Sequence, residues 1–173
     1  PIKNHGFFID VIQEVLNKTD KKIRFFIIGD GEEKNNLIEY VKTKRIDYST
    51  DKKPATVQFT SWIKDVDIAN AGLDIICLCS KNEGTPVSLI EAQASGKPIV
   101  STKTGGIENI VIENKTALLS ENNDQFTFSE NLLKLIHSKE TRSSFSNWGK
   151  QKSEDFSYLK LIENVKKLYK CAL

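Results

Sequence analysis

Three cysteines, two histidines and no long apolar run set the first limits on this 173-residue chain. Cys77, Cys79 and Cys171 are odd in number and form no disulfide framework, which suits a reducing compartment. Cys77 and Cys79 lie two apart in a strand pattern and so share a face. A metal bound there would need further ligands, and neither His5 nor His137 has the spacing to supply one. Buried structural thiols account for the pair more simply. No stretch of about 18 apolar residues is present, which excludes a membrane-spanning helix. No leader is readable; the sequence opens abruptly at Pro1, and the expectation is that the natural N-terminus lies upstream. Neither charge dominates: 25 basic against 23 acidic side chains give +2, too balanced for a nucleic-acid binder. No G-x-G-x-x-G follows an apolar strand, which disfavours a dinucleotide site. Asp65-Val66-Asp67 has the bare spacing of a metal-binding acidic pair but reads as the start of a helix, so no metal or other cofactor is expected. There is no internal repeat and no low-complexity segment.

What is present is alternation. Residues 23–28, 56–59, 74–79, 98–100 and 116–119 are short apolar strands. Between them lie helical patterns: Phe8, Val11, Ile12, Val15 and Leu16 behind a cap at Asn4; Leu37, Ile38 and Val41; a short helix from Asp65; and a turn of helix at 108–112. Residues 47–53 read as an exposed polar loop. Asn122-Asn123-Asp124 opens a helix bearing Leu132, Leu133, Leu135 and Ile136, and helices over 141–152 and 157–168 follow. Strands apolar throughout, alternating with helices, define an α/β fold: one doubly wound parallel sheet with helices on both faces. Length and pattern make residues 1–173 a single domain. Ligands of such sheets lie beyond the carboxyl ends of the strands, so the segments at 29–31, 61–63, 80–83 and 101–106 should gather on one rim. The 157–168 helix sets Tyr158, Leu161, Ile162, Val165 and Leu168 against Lys160, Lys166 and Lys167. That pattern fits either a terminal helix packed on the core or a peripheral membrane contact, and the apolar face is sized for a protein core.

The densest chemistry lies at Glu83-Gly84-Thr85-Pro86-Val87 and continues to Glu91. Thr85 is placed as an N-cap and Pro86 at the first helical position, where no backbone donor is needed. Val87, Leu89, Ile90, Ala92 and Ala94 make a buried helix that Gly96 stops. Free N–H groups and the positive end of the helix dipole then face whatever stands before Thr85, a natural place for phosphate, with Glu83 and Glu91 flanking it. A helix start between two solvated carboxylates, without a ligand, has the same pattern.

Glu83, seven residues, Glu91, then Ala92-Gln93-Ala94-Ser95-Gly96-Lys97-Pro98-Ile99-Val100 and Gly105-Gly106-Ile107 resembles the signature of glycosyltransferase family 4, retaining enzymes of the GT-B fold that use sugar nucleotides. The resemblance runs from Lys3 to about Asp124. It implies the C-terminal, donor-binding, Rossmann-like half of such an enzyme, with the N-terminal acceptor half and the first strand of this half lying outside the sequence. It implies a nucleoside diphosphate sugar as donor and a glycan or lipid-linked acceptor, in surface polysaccharide synthesis, in the cytoplasm or at the inner face of the membrane. Lys3 matches the family's diphosphate lysine; the arginine that usually precedes it would lie before Pro1. By the same resemblance Glu91 takes the ribose diol, and Glu83 stands near the donor sugar, where Gly84 lets the backbone approach. Thr85, Pro86 and Val87 hold the diphosphate from the other side. Trp62 and Ile63 run beside the base, with Ser61 where the family has glycine, and Gly29 and Gly31 match its Gly-x-Gly turn. Catalytic roles fall to Glu83 and Lys3. This half alone is expected to be inactive. Two other readings stand: a sugar-nucleotide-binding or interaction module without catalysis, and a related enzyme of the same fold such as an epimerase.

Overall fold

The computed structural model describes residues 2–172, the side chains of 171 and 172 excepted; Pro1 and the Cys171 thiol lie outside it. In chain order the elements are α1 (His5–Lys18), β1 (Phe25–Ile27), α2 (Lys34–Thr43), β2 (Tyr48–Ser49), β3 (Val57–Phe59), α3 (Val66–Ala71) and β4 (Ile76–Leu78). There follow α4 (Val87–Ala94), β5 (Ile99–Thr102), α5 (Ile107–Ile110), β6 (Ala117–Ser120), α6 (Gln125–His137), α7 (Lys139–Ser153), a 3-10 turn at Glu154–Phe156 and α8 (Tyr158–Ala172). All strand pairs are parallel.

The architecture is α/β and Rossmann-like, as expected, with helices on both sides of the parallel sheets. The single sheet of the sequence reading is divided in two, in the orders β1-β3-β2 and β4-β5-β6. Among the described residues β1 and β4 therefore each keep one unpaired edge. The strand period of two sorts side chains between two cores. Val100 and Leu118 enter one, with Cys79 and with Cys77 packed against it, beneath α1 and α6. Ile99, Ala117 and Leu119 enter the other, with Ile76 and Leu78 against it, beneath α4 and α5. The two thiols thus share a face and are structural: burial pushes the Cys79 thiol up to about 12, and the Cys77 thiol up as well.

Several local expectations are corrected. Asn4 does not cap α1 with its side chain; it sits at φ 54 and makes no cap bond. Residues 47–53 are not all loop, because Tyr48 and Ser49 form β2 against Val57 and Gln58. Within α4, Val87 and Ala94 face solvent, while the fully buried polar residue is Gln93, which donates Nε2 to the Ile110 carbonyl at 3.2 Å. The ending of α4 is as read: Gly96 at φ +65 lets its N–H reach the Gln93 carbonyl (2.9 Å) and the Lys97 N–H reach that of Ala92 (2.8 Å). α8 is not packed on the core: Tyr158, Leu161 and Leu168 are 72%, 63% and 70% exposed.

Candidate functional site

The site is built at the carboxyl ends of the strands. β4 runs out through Cys79 and Ser80 into the loop 81–86, and α4 then turns away. Pro86, not Thr85, is the N-cap residue, at φ −71 and ψ 98, and Thr85 stands outside the helix with no cap bond. The proline ring fixes φ and leaves no N–H to satisfy, so the helix begins one residue later than the Thr-Pro pattern suggested. The consequence expected from the sequence survives the shift. The N–H groups of Val87 and Ser88 are the first two of the helix and have no hydrogen-bond partner among the described residues. They carry the partial positive charge of the helix end.

Lys3 is brought to this loop from the start of the chain. The Lys81 N–H donates to the Ile2 carbonyl at 2.9 Å, and the Cys79 thiol donates to the Lys3 carbonyl at 3.2 Å. That anchoring sets Lys3 Nζ 2.7 Å from Glu83 Oε1. The Lys3 side chain is 59% exposed and that of Glu83 only 11%. Burial raises the Glu83 carboxyl, but the hydrogen bond from Lys3 and its charge outweigh burial and hold the carboxyl below the usual carboxylate range. Ser80 Oγ is buried without a hydrogen-bond partner among the described residues. His5, the first residue of α1, is held below its ordinary value by burial and then by the Lys3 charge, so its imidazole is neutral at pH 7.

The next strand secures the loop. Thr102 Oγ1 donates to the Ser80 carbonyl (2.7 Å) and Thr104 Oγ1 to that of Lys81 (2.9 Å). The Gly106 N–H reaches the carbonyls of Glu83 (3.2 Å) and Gly84 (3.1 Å). In the other sheet, Asp30 between Gly29 and Gly31 accepts the Trp62 N–H at 3.2 Å and Lys34 Nζ at 2.6 Å. Gly29 is needed for its φ of +120, whereas Gly31 has no such conformation. The Trp62 ring is 76% exposed, and Ile63 is half-buried. α1 leaves the rim at Ile2–His5 and carries the chain away from it, and β1 brings it back. Gly29 and Gly31 therefore end on the side from which α1 departed.

The structure thus joins Lys3 to Glu83, and the Gly29–Gly31 turn to the Trp62 loop. Glu91 lies on the exposed side of α4, further along the helix that Glu83 precedes; its carbonyl accepts the Ser95 N–H at 2.9 Å, and its carboxylate makes no hydrogen bond among the described residues. Among the described residues no three His, Cys, Asp or Glu side chains converge as a metal site. No described helix is long and apolar enough to cross a membrane. Two surface hollows, of about 280 and 420 Å³, open near Gln13 and Arg45 and over residues 47–55, and neither is lined by a candidate site residue of the sequence reading. Sequence reading placed Thr102, Thr104 and Asp30 in rim segments but not their contacts, which depend on which loops meet.

The rim is Rossmann-like, with a lysine–glutamate pair before a helix terminus whose first N–H groups have no partner among the described residues. Residues 1–152 match the family model of the glycosyl transferases group 1, and the chain belongs to that family. It is 28% identical over 180 residues to an uncharacterised glycosyltransferase of Methanocaldococcus jannaschii, covering 98% of this chain and 45% of that protein. It is 26% identical to the UDP-Gal:alpha-D-GlcNAc-diphosphoundecaprenol alpha-1,3-galactosyltransferase of Escherichia coli, covering 98% of this chain and 42% of that one. The chain therefore spans less than half the length of these curated relatives. Among solved structures, a point mutant of S. aureus TarM in complex with Fondaparinux, alpha-GlcNAc-glycerol and UDP superposes with a TM-score of 0.83 at 22% identity, over 98% of this chain and 33% of that one. At that identity the likeness speaks for the fold.

Proposed function

We propose that this chain is the donor-binding, C-terminal half of a retaining glycosyltransferase of the family 4 type. It transfers a sugar from a nucleoside diphosphate sugar to a glycan or lipid-linked acceptor, in the assembly of a surface polysaccharide. The observation that carries the reading is the Lys3–Glu83 contact of 2.7 Å in front of the unpartnered N–H groups that open α4. A diphosphate placed there meets a cation on one side and a helix terminus on the other, and both interactions strengthen as charge builds on the leaving group. The relative that acts on a diphosphoundecaprenol-linked sugar and the structural neighbour bound to UDP support this donor and acceptor chemistry.

The roles follow. Lys3 and the N–H groups after Pro86 take the diphosphate, with Thr85 beside them. Glu91 accepts the two ribose hydroxyls. Trp62 offers a face to the base, and Ile63 and the Gly29–Gly31 turn border it. Glu83 orients a hydroxyl of the donor sugar, and Gly84 leaves room for it. In the transfer the bond from the anomeric carbon to the diphosphate oxygen breaks, and the bond to the acceptor oxygen forms on the same face. The acceptor's proton passes to the departing diphosphate, so no protein nucleophile and no metal is required. The acceptor is held by a half outside this sequence, which also governs any membrane contact, and this half alone does not turn over.

Transfer by the full-length protein, followed by proton NMR of the product, tests the reading. With the matching donor the new linkage keeps the donor's anomeric configuration. An inverted product would refute retention, and failure with every uridine, guanosine and adenosine donor would refute the transferase.

A further inference from the structure

Gly105 and Gly106 have no chemistry of their own, yet they make the closest backbone approach in the site. Gly105 has φ +55, and a Cβ on it would overlap the Glu83 carbonyl oxygen and stand 2.8 Å from the carbonyl carbon. A Cβ on Gly106 would overlap the Gly84 carbonyl oxygen and stand 3.2 Å from its carbon. Both obstacles are backbone, so no rotation of a side chain relieves them. The Gly106 N–H meanwhile donates to both of those carbonyls. The turn after β5 therefore lies flat against the peptide that bears the Glu83 side chain, and the contact requires glycine at both positions. Thr104 fastens the same loop two residues earlier through the Lys81 carbonyl.

We propose that Gly105 and Gly106 are positioning residues: their backbone fixes the 83–84 peptide so that the Glu83 carboxylate stands on Lys3 and over the donor site. The proposal rests on the reading of Glu83 as a residue of that site. Alanine at Gly105 pushes the loop outward by its own carbonyl and takes the carboxylate off the lysine. The fold has little reason to fail elsewhere, because the displaced segment is a surface loop bounded by β4 and α4.

The test is a carboxyl titration of Glu83 by carbon NMR in the full chain, with Gly72→Ala as control. The nearest atom to a Cβ at Gly72 is 3.5 Å away, an ordinary contact. Gly105→Ala is expected to move the Glu83 titration up toward the ordinary carboxylate range, while Gly72→Ala leaves it in place. An unshifted Glu83 in a folded Gly105→Ala protein overturns the proposal. If that variant does not fold, Thr104→Val replaces it, with the same upward direction expected and no movement counting against. Turnover of the donor by the full-length protein supplies the second arm. Glu83→Gln lowers it about 100-fold, and adding Gly105→Ala to that variant lowers it by less than about 2-fold more, because both act through one carboxylate. Losses that multiply overturn the proposal. Should Glu83→Gln turn over like the parent, the catalytic reading of Glu83 falls, and the titration alone decides the positioning role.

Discussion

Lys3 and Glu83 are eighty residues apart in sequence and 2.7 Å apart in the fold. Their closeness has a pH signature. The Glu83 carboxyl is held below its ordinary value in the folded chain, so the pair's contribution to stability is fully present above the ordinary carboxylate range. It is lost as pH falls through that range to the folded value. With Lys3 more than half exposed, the contribution is at most about 1 kcal/mol. The expected result is a Lys3→Ala variant slightly less stable than the parent at pH 7 and equal to it in strong acid, read from urea midpoints. Both residues were legible in the sequence, Lys3 through resemblance and Glu83 through its place before a helix. Their contact was not legible, because it depends on the Lys81 N–H meeting the Ile2 carbonyl. The N-cap was misplaced for a local reason: Thr85 has the side chain for capping, but Pro86 occupies the position with its fixed φ.

At the scale of elements, α4 is held by its apolar contacts and by its ending. Leu89 is fully buried among Ile99, Ile107 and their neighbours. Leu89→Ala is expected to cost about 2–5 kcal/mol, measured by chemical denaturation. Gly96 combines φ +65 with a would-be Cβ 2.5 Å from Lys150 Cε and 2.7 Å from Ser146 Oγ. Gly96→Ala is expected to cost about 1–2 kcal/mol for the left-handed conformation, with α7 giving way slightly, again by denaturation. Continuous apolar runs exposed the strands and the glycine exposed the stop, because both are local signals. β2 was missed because Tyr48 and Ser49 make no apolar run, and Gln93 because a buried amide looks polar until its partner, the Ile110 carbonyl, is in view.

At the scale of the molecule, the doubly wound pattern was readable and the division of its sheet was not. β1 and β4 each present an open parallel edge among the described residues. α8 was expected to pack on the core because its apolar face has the right size, yet Tyr158, Leu161 and Leu168 meet no core here. Truncation after Ser157 is accordingly expected to shift the melting temperature of this chain by no more than a few degrees, by calorimetry, whereas a core helix would cost far more. The central claim concerns the rim of the whole fold, and titration calorimetry of UDP, GDP and ADP into the full-length protein and its Glu91→Ala variant tests it most directly. The account predicts that one of the three binds the parent and binds the variant at least about 10-fold more weakly, through the lost ribose contact. No binding by a folded parent, or equal binding by parent and variant, would contradict it.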